Sequence, residues 1–227
     1  MAGKRLSREG SRERTAQHLL GAAERLIAKK GLNATSIEDV AEAAGYSRGA
    51  FYSNFSSKSE LFVELLQRDQ ERASARLEAA VDDSLPVVQL GARMREVYAT
   101  LYLEGASFLT WTEARILAAR DAKFRDKLGR LMAEKRDHAV TLLEYFYKRA
   151  GRRPAGPLEP LAMGFMSLME GVRLVGVSCP DELPPSVAQT ILRLFLGAVM
   201  RRRSQRSSHP ARCGRSRMSA SRGRKII

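Results

Sequence analysis

Two short helical patterns that meet at a glycine constrain this chain more than any other feature. In "TSIEDVAEAAGYSRGAFYSNF", residues 35–55, apolar side chains recur at helical spacing from Ile37 and stop before Gly45. A second short helix is predicted near 47–54, so a turn of three to four residues containing glycine joins the two. Two short helices connected in this way are typical of a helix-turn-helix unit.

Helical periodicity continues through the rest of the chain, and no strand-like alternation bounded by hairpin turns interrupts it. A first helix is predicted from Arg12 to Lys30, ending at Gly31, and a fourth begins after Ser57 and runs to about Val81. With the later patterns this gives roughly nine helices. The sequence therefore predicts an all-α protein with a three-helix helix-turn-helix domain at 12–60 and a larger helical bundle at 61–200.

The positive charge of the chain is concentrated at its ends. The net charge is +14, and residues 201–227 supply ten of these positive charges with no acidic residue. We expect this tail and the basic arm at 1–11 to be disordered, because both are rich in charge and poor in apolar side chains. Basic ends can bind polyanions without sequence preference, so a sequence-non-specific DNA-coating protein driven by the tail is an alternative function.

Several classes of protein are disfavoured by what the sequence lacks. No run approaches the roughly 20 apolar residues that cross a bilayer, and the N-terminus has no signal-peptide core, which favours a cytoplasmic protein without membrane contact. Cys179 and Cys213 are too few for a disulfide framework or a metal cage, although a redox sensor using Cys179 remains open. Glu134 and His138 are one residue too far apart for a Glu-x-x-His di-iron motif. We therefore expect no enzyme, no cofactor and no metal.

The second helix of the predicted unit carries the residue types that read DNA. In a helix-turn-helix, the N-terminal residues of this helix enter the major groove, and here they are Ser47, Arg48 and Gly49. Arginine can bond bidentately to guanine, and a glycine lets the backbone approach DNA closely. Tyr52 could reach a phosphate with its hydroxyl, and Ser36 lies at a helix N-terminus whose free N–H groups favour a phosphate oxygen.

The segment "TAQHLLGAAERLIAKKGLNATSIEDVAEAAGYSRGAFYSNFSSKSELF", residues 15–62, resembles the DNA-binding domain of the tetracycline-repressor (TetR) family. The resemblance implies a homodimeric bacterial regulator, usually a repressor, that binds a palindromic operator in double-stranded DNA and is released by a small-molecule effector bound in its C-terminal domain. It also implies phosphate contacts from Thr35, Tyr52 and Lys58, and base contacts from Ser47, Arg48 and Gly49, with Tyr46 and Asn54 as second candidates. Leu32 departs from the family, which often has an aromatic residue there.

Aromatic and methionine side chains of the predicted bundle are candidates for an effector pocket, because such pockets are mostly apolar with a few polar groups. The candidate lining residues are Tyr98, Tyr102, Phe108, Trp111, Met163 and Met166, with Glu170 as a polar anchor. Each could equally be ordinary core. The last two predicted helices have broad apolar stripes, and we expect them to pair with their copies in a second subunit.

Overall fold

The computed structural model describes residues 8–103, 105–154 and 156–199, and over these ranges the chain forms nine α-helices and no strand. The helices are α1 (Arg8–Lys30), α2 (Ile37–Ala43), α3 (Arg48–Tyr52), α4 (Lys58–Ala80), α5 (Val87–Leu103), α6 (Gly105–Arg120), α7 (Ala122–Arg149), α8 (Leu158–Ser178) and α9 (Pro185–Val199). The predicted all-α class is confirmed. The predicted tail at 201–227 and residues 1–7 of the predicted arm lie outside the described residues.

Helix α1 begins four residues earlier than predicted. The sequence placed residues 8–11 in a disordered arm, whereas the structure makes them the first turn of α1. Glu9 lies in this first turn, where a carboxylate favours the positive end of the helix dipole. Thr15 donates its hydroxyl proton to the carbonyl of Ser11 at 3.0 Å, one turn earlier. The helix therefore extends through a charged stretch that lacks the apolar periodicity by which a helix is recognised in sequence.

The N-terminal helices and the bundle share one hydrophobic core. Buried residues of α1 and α4 pack in the same cluster as Trp111 of α6 and Phe124 of α7. Phe62, fully buried on α4, stacks on Phe124 with ring centroids 5.6 Å apart. The boundary predicted between residues 60 and 61 falls inside α4, which runs without interruption from the helix-turn-helix into the bundle. Helix α4 is thus a rigid connection between the two parts.

Helix α8 is long and apolar enough to span a membrane by length and composition, and it is the one described helix that meets this criterion. Its contacts are those of a bundle helix, because it packs on both α7 and α9. Phe165 of α8 stacks on Phe195 of α9 at 6.1 Å, and Glu170 forms an ion pair with Arg115 of α6. Part of its apolar surface therefore serves helix packing, while Met163, Leu174 and Val177 remain exposed.

Gly45 ends α2 in a conformation that other residues adopt only with strain. Its φ is +77°, and no atom lies within 4 Å of the position that a Cβ would occupy. Alanine at this position would therefore meet no neighbour and would be penalised by backbone conformation alone, by about 1–2 kcal/mol. We expect Gly45→Ala to lower the free energy of unfolding by that amount, as measured by urea denaturation.

The matched control is Gly129, which lies inside α7 with equally open space around it. Because a helix interior favours alanine, Gly129→Ala should raise the free energy of unfolding by up to about 1 kcal/mol. If the two substitutions changed the free energy of unfolding in the same direction, the positive φ at position 45 would not explain why glycine is needed there.

Candidate functional site

Hydrogen bonds fix the start of both short helices. Ser36 and Asp39 form a reciprocal capping box, in which the Ser36 Oγ accepts from the Asp39 N–H at 3.0 Å and the Asp39 carboxylate accepts from the Ser36 N–H at 2.8 Å. The Asp39 carboxylate also accepts a hydrogen bond from Lys30 Nζ at 2.7 Å. The bond from Lys30 contributes most, and those from Ser36 add to it, in holding the pKa of Asp39 far below its usual range. Ser47 caps α3 by accepting from the Ala50 N–H at 3.2 Å.

The N-terminal end of α3 projects into solvent. Ser47, Arg48 and Gly49 are all exposed, and the only atom close to a Cβ at Gly49 is Ser47 Oγ, at 3.6 Å. The Arg48 guanidinium lies 5.5 Å from the centre of the Tyr52 ring, which is itself 46% exposed. These four residues, Ser47, Arg48, Gly49 and Tyr52, thus form one solvent-accessible surface.

Arg48 is held by a partner that the sequence analysis missed. Its Nη1 lies 2.9 Å from the Glu38 carboxylate on α2, and both side chains are more than half exposed. An arginine in this pair must exchange Glu38 for another acceptor before it can bind elsewhere. The sequence does show that Glu38 lies in the first turn of the preceding helix. Whether its carboxylate contacts Arg48 depends on the angle between α2 and α3, which the sequence alone does not give.

Two of the predicted phosphate contacts are engaged within the protein. The Thr35 hydroxyl is buried and donates to the Gly31 carbonyl at 2.8 Å. Lys58 Nζ donates to the carbonyls of Leu32 and Thr35, both at 2.9 Å. These bonds stabilise the turn between α1 and α2, because they supply side-chain donors to carbonyl groups that lie outside both helices. The Thr35 side chain therefore has a structural role here, and Lys58 ties the start of α4 to this turn.

The two second-rank candidates for base contacts also have protein partners. Tyr46 is half-buried, and its hydroxyl lies 3.0 Å from His18 Nδ1 on α1. Asn54 donates from Nδ2 to the Ala50 carbonyl at 2.8 Å, which folds its side chain back on α3. The structure does not bring either residue into the exposed surface formed by Ser47, Arg48, Gly49 and Tyr52.

A cavity of about 650 Å³ lies between α4, α5, α6, α7 and α8. Five of the seven predicted pocket residues line it: Tyr98, Phe108, Trp111, Met166 and Glu170. The prediction for Met163 is wrong, because this side chain is 42% exposed on the outer face of α8 and does not line the cavity. The side chain of Tyr102 lies outside the described residues.

The cavity wall combines aromatic rings with a polar network. Asp69 on α4 accepts from Trp111 Nε1 and from the Ser107 hydroxyl, each at 2.6 Å. Tyr98 packs edge-on against Phe165 with ring centroids 5.1 Å apart, and burial raises the pKa of Tyr98 to about 12, so this phenol keeps its proton at neutral pH. The wall can therefore offer both apolar contact and hydrogen bonds.

Further polar residues of the wall were not predicted from the sequence, among them Asp69, Gln70, Lys135 and His138. Lys135 and His138 are three residues apart and so lie on one face of α7. Because the residues around them in the sequence are also charged, the sequence does not distinguish these two from solvent-exposed side chains. Among the residues that the structure describes, no three His, Cys, Asp or Glu side chains are grouped so that they could hold a metal ion.

Residues 19–65 match the family model described as "Bacterial regulatory proteins, tetR family". These residues span the end of α1 to the first third of α4, and so include the whole capped and exposed α2–α3 unit.

Several curated regulators are similar to this chain, and two of them illustrate the extent of the match. The HTH-type transcriptional regulator AcrR of Shigella flexneri is 45% identical over 53 residues, which are 23% of this chain and 25% of AcrR. The HTH-type transcriptional regulator TtgR of Pseudomonas putida is 34% identical over 102 residues, which are 44% of this chain and 48% of TtgR. The chain thus spans about half, or less, of the length of these relatives.

A solved structure extends the likeness to nearly the whole fold. A Rhodococcus sp. protein assigned to the TetR-family transcriptional regulators superposes with a TM-score of 0.70 and 24% sequence identity. The superposition covers 83% of this chain and 100% of that one. At this identity the likeness concerns the arrangement of helices, including those that enclose the cavity.

Proposed function

We propose that this chain, which belongs to the TetR family of bacterial regulatory proteins, is a ligand-responsive transcriptional repressor that binds a palindromic operator as a homodimer. It acts in the cytoplasm, where its DNA is, and no catalytic step is assigned to it. The observation that carries the proposal is the N-terminal end of α3, where Ser47, Arg48 and Gly49 are all exposed to solvent.

The α3 surface fits the DNA contacts that the family resemblance implies. An α-helix enters the major groove, where each base pair presents a distinct pattern of donors and acceptors. Arg48 is the base-reading residue, because its planar guanidinium can bond bidentately to a guanine. Ser47 and Gly49 allow the backbone to approach, and the exposed Tyr52 hydroxyl donates to a phosphate. Phosphate contacts set the register in which Arg48 meets its base.

The Glu38–Arg48 ion pair competes with DNA for the guanidinium. An exposed ion pair contributes about 0.2–1 kcal/mol, and Glu38 also brings a negative charge towards the phosphates. Glu38→Gln should therefore raise operator affinity by up to about fivefold per subunit and leave the free energy of unfolding nearly unchanged. Fluorescence anisotropy with labelled operator at fixed salt measures this change.

Glu42→Gln is the matched control, since Glu42 is an exposed glutamate one turn further along α2 without an ion pair to Arg48. An equal gain from both substitutions would mean that only overall charge matters. A loss of affinity in Glu38→Gln would mean that Glu38 positions Arg48 for binding instead of competing for it.

The outer faces of α8 and α9 supply the dimer interface. Large apolar side chains are exposed there: Met163, Leu174, Val175, Val177, Val187 and Leu194. Exposed apolar groups concentrated on two adjacent helices are typical of a protein–protein interface. Pairing each face with its copy about a two-fold axis presents two α3 helices to the two halves of a palindrome.

Helix α4 couples the cavity to the DNA-binding surface. Its N-terminal residue Lys58 holds the α1–α2 turn, while Asp69 and Leu77, further along the same helix, line the cavity. A bound effector that displaces α4 therefore moves the turn that supports α2 and α3. Couplings of this kind are typically about 1–3 kcal/mol, which corresponds to a 5- to 150-fold change in operator affinity.

Selection of bound sites from random DNA tests the proposed function. A palindromic consensus that the protein prefers over unrelated DNA at every salt concentration is the expected result. Binding without a consensus, with affinity that depends only on salt, would contradict the proposal and favour a DNA-coating protein driven by the tail at 201–227.

A further inference from the structure

Lys135 carries an unpaired charge inside the cavity of the bundle. Its side chain extends from α7 so that Nζ lies 4.5 Å from the centre of the Trp111 ring, a cation–π contact. Among the described residues, Nζ has no ion pair and no hydrogen bond. Burial lowers the pKa of Lys135, while the carboxylates of Glu170 and Asp69 act in the opposite direction from a longer distance. An ammonium in this position is stabilised by any anion that enters the cavity.

The carboxylates of the cavity are already engaged. Asp69 accepts from Trp111 and Ser107, and Glu170 pairs with Arg115. Glu24 lies 2.8 Å from Arg68, so its charge is compensated, whereas the hydrogen-bond donors to Asp69 are uncharged. Five cationic side chains and three carboxylates line the wall, which leaves the cavity with a positive balance. The cavity therefore attracts negative charge.

Two buried polar atoms on the same wall lack a partner. Gln70 Oε1 and His138 Nε2 are both removed from solvent and make no hydrogen bond to any residue that the structure describes. Buried polar groups are nearly always hydrogen-bonded, and leaving one without a partner costs about 1–3 kcal/mol. Gln70 lies on α4 and His138 on α7, and both atoms are too deeply covered for a ligand in the cavity to reach them unless these side chains turn.

The geometry points to an organic carboxylate with a compact apolar body as the effector class, with its carboxylate on Lys135 Nζ and its body against Tyr98, Leu142 and Phe165, which also line the cavity. This inference deepens the proposed function and depends on it for the effect on DNA, but not for binding. The cavity volume of about 650 Å³ lies within the range of small-molecule sites.

An organic cation is the competing ligand class, because aromatic walls can bind quaternary ammonium groups. Here the protein's own cations already occupy the aromatic faces. Lys135 lies over Trp111, and the Arg173 guanidinium lies 4.9 Å from the centre of the Phe108 ring. A further cation would have to displace one of them against the positive balance of the wall.

Three probes with one body and different head groups test the inference: 4-phenylbutanoate, 4-phenylbutan-1-ol and 4-phenylbutyltrimethylammonium. Trp111 is the only tryptophan of the chain and lines the cavity, so its fluorescence reports occupancy, and calorimetry gives the affinities. We expect the carboxylate to bind about 10- to 100-fold more tightly than the alcohol, as for a hydrogen bond to a charged group. The ammonium probe should bind most weakly.

Lys135→Met should abolish this preference and leave the affinity for the alcohol unchanged, and retained alcohol binding also shows that the cavity is intact. Lys123→Met is the control, because Lys123 is exposed at the start of the same helix, away from the cavity, and its loss should not change any of the three affinities. Stronger binding of the ammonium probe, a preference that survives in Lys135→Met, or no saturable carboxylate binding at millimolar concentration would each overturn the inference.

Operator binding in the presence of each probe separates this inference from the proposed function. Lys135-dependent carboxylate binding with no effect on DNA would uphold the ligand class and contradict ligand-responsive regulation. Release of DNA by the alcohol and the ammonium as effectively as by the carboxylate would uphold regulation and contradict the ligand class.

Discussion

Phe62→Ala should lower the free energy of unfolding by about 3–5 kcal/mol, the usual effect of removing a fully buried phenylalanine. Phe62 has no exposed surface, and it stacks on Phe124 of α7 at 5.6 Å, so its loss opens a cavity between the N-terminal helices and the bundle. Because Trp111 belongs to the same core cluster, its fluorescence and the helical circular dichroism should report one common transition in urea.

The control is Val88→Ala, since Val88 is 82% exposed and its truncation leaves no cavity. Both variants must be measured at one protein concentration, because a dimer's stability depends on concentration. A loss below about 1 kcal/mol in Phe62→Ala would show that the shared core contributes little. Separate transitions for the two probes in the unsubstituted protein would show that the N-terminal helices fold independently of the bundle.

Arg48→Ala should weaken operator binding by about 2–6 kcal/mol, since each bidentate contact to guanine contributes about 1–3 kcal/mol and a dimer makes two. Affinity for unrelated DNA should change much less, because it depends on phosphate contacts. The Glu38–Arg48 pair is exposed, so its loss should not affect stability measurably. Competition between labelled operator and unrelated DNA at fixed salt gives both affinities.

Two further variants make the result specific to Arg48. Arg48→Lys keeps the charge but loses the planar fork, so it should leave the affinity for unrelated DNA unchanged and still lose most of the sequence preference. Arg120→Ala removes an exposed arginine at the end of α6 and should leave both affinities unchanged. If Arg48→Ala reduced the affinities for operator and for unrelated DNA by the same factor, Arg48 would contact phosphate and the proposed base contact would be wrong.

The helix-turn-helix could be predicted from the sequence because its signals are local. Ser36, Gly45 and Ser47 act on their own backbone within a few residues, so spacing alone identifies them. The early start of α1 at Arg8 could not be predicted in this way, since its first turn has no apolar periodicity. The boundary inside α4 was also misplaced, because a change of packing partner along one continuous helix leaves no mark in local sequence.

The contacts that decide the function of single side chains are long-range, and sequence does not reveal them. Lys58 resembles a phosphate-binding lysine in its motif, yet its bonds go to carbonyls of Leu32 and Thr35, more than 20 positions away. The cavity shows both sides of this limit. Bulky apolar residues such as Trp111 could be predicted, whereas the unpaired Lys135 becomes evident only when α4, α6 and α7 are assembled around it.

The central claim is that two chains present paired α3 helices to one symmetric DNA site. The most direct measurement compares the selected palindromic duplex with the same duplex in which one half is scrambled, using sedimentation to count the chains bound and titration to give Kd. We predict two chains on the intact palindrome and a large loss of affinity when one half is scrambled. A single chain on the intact site, or equal affinity for both duplexes, would contradict the claim.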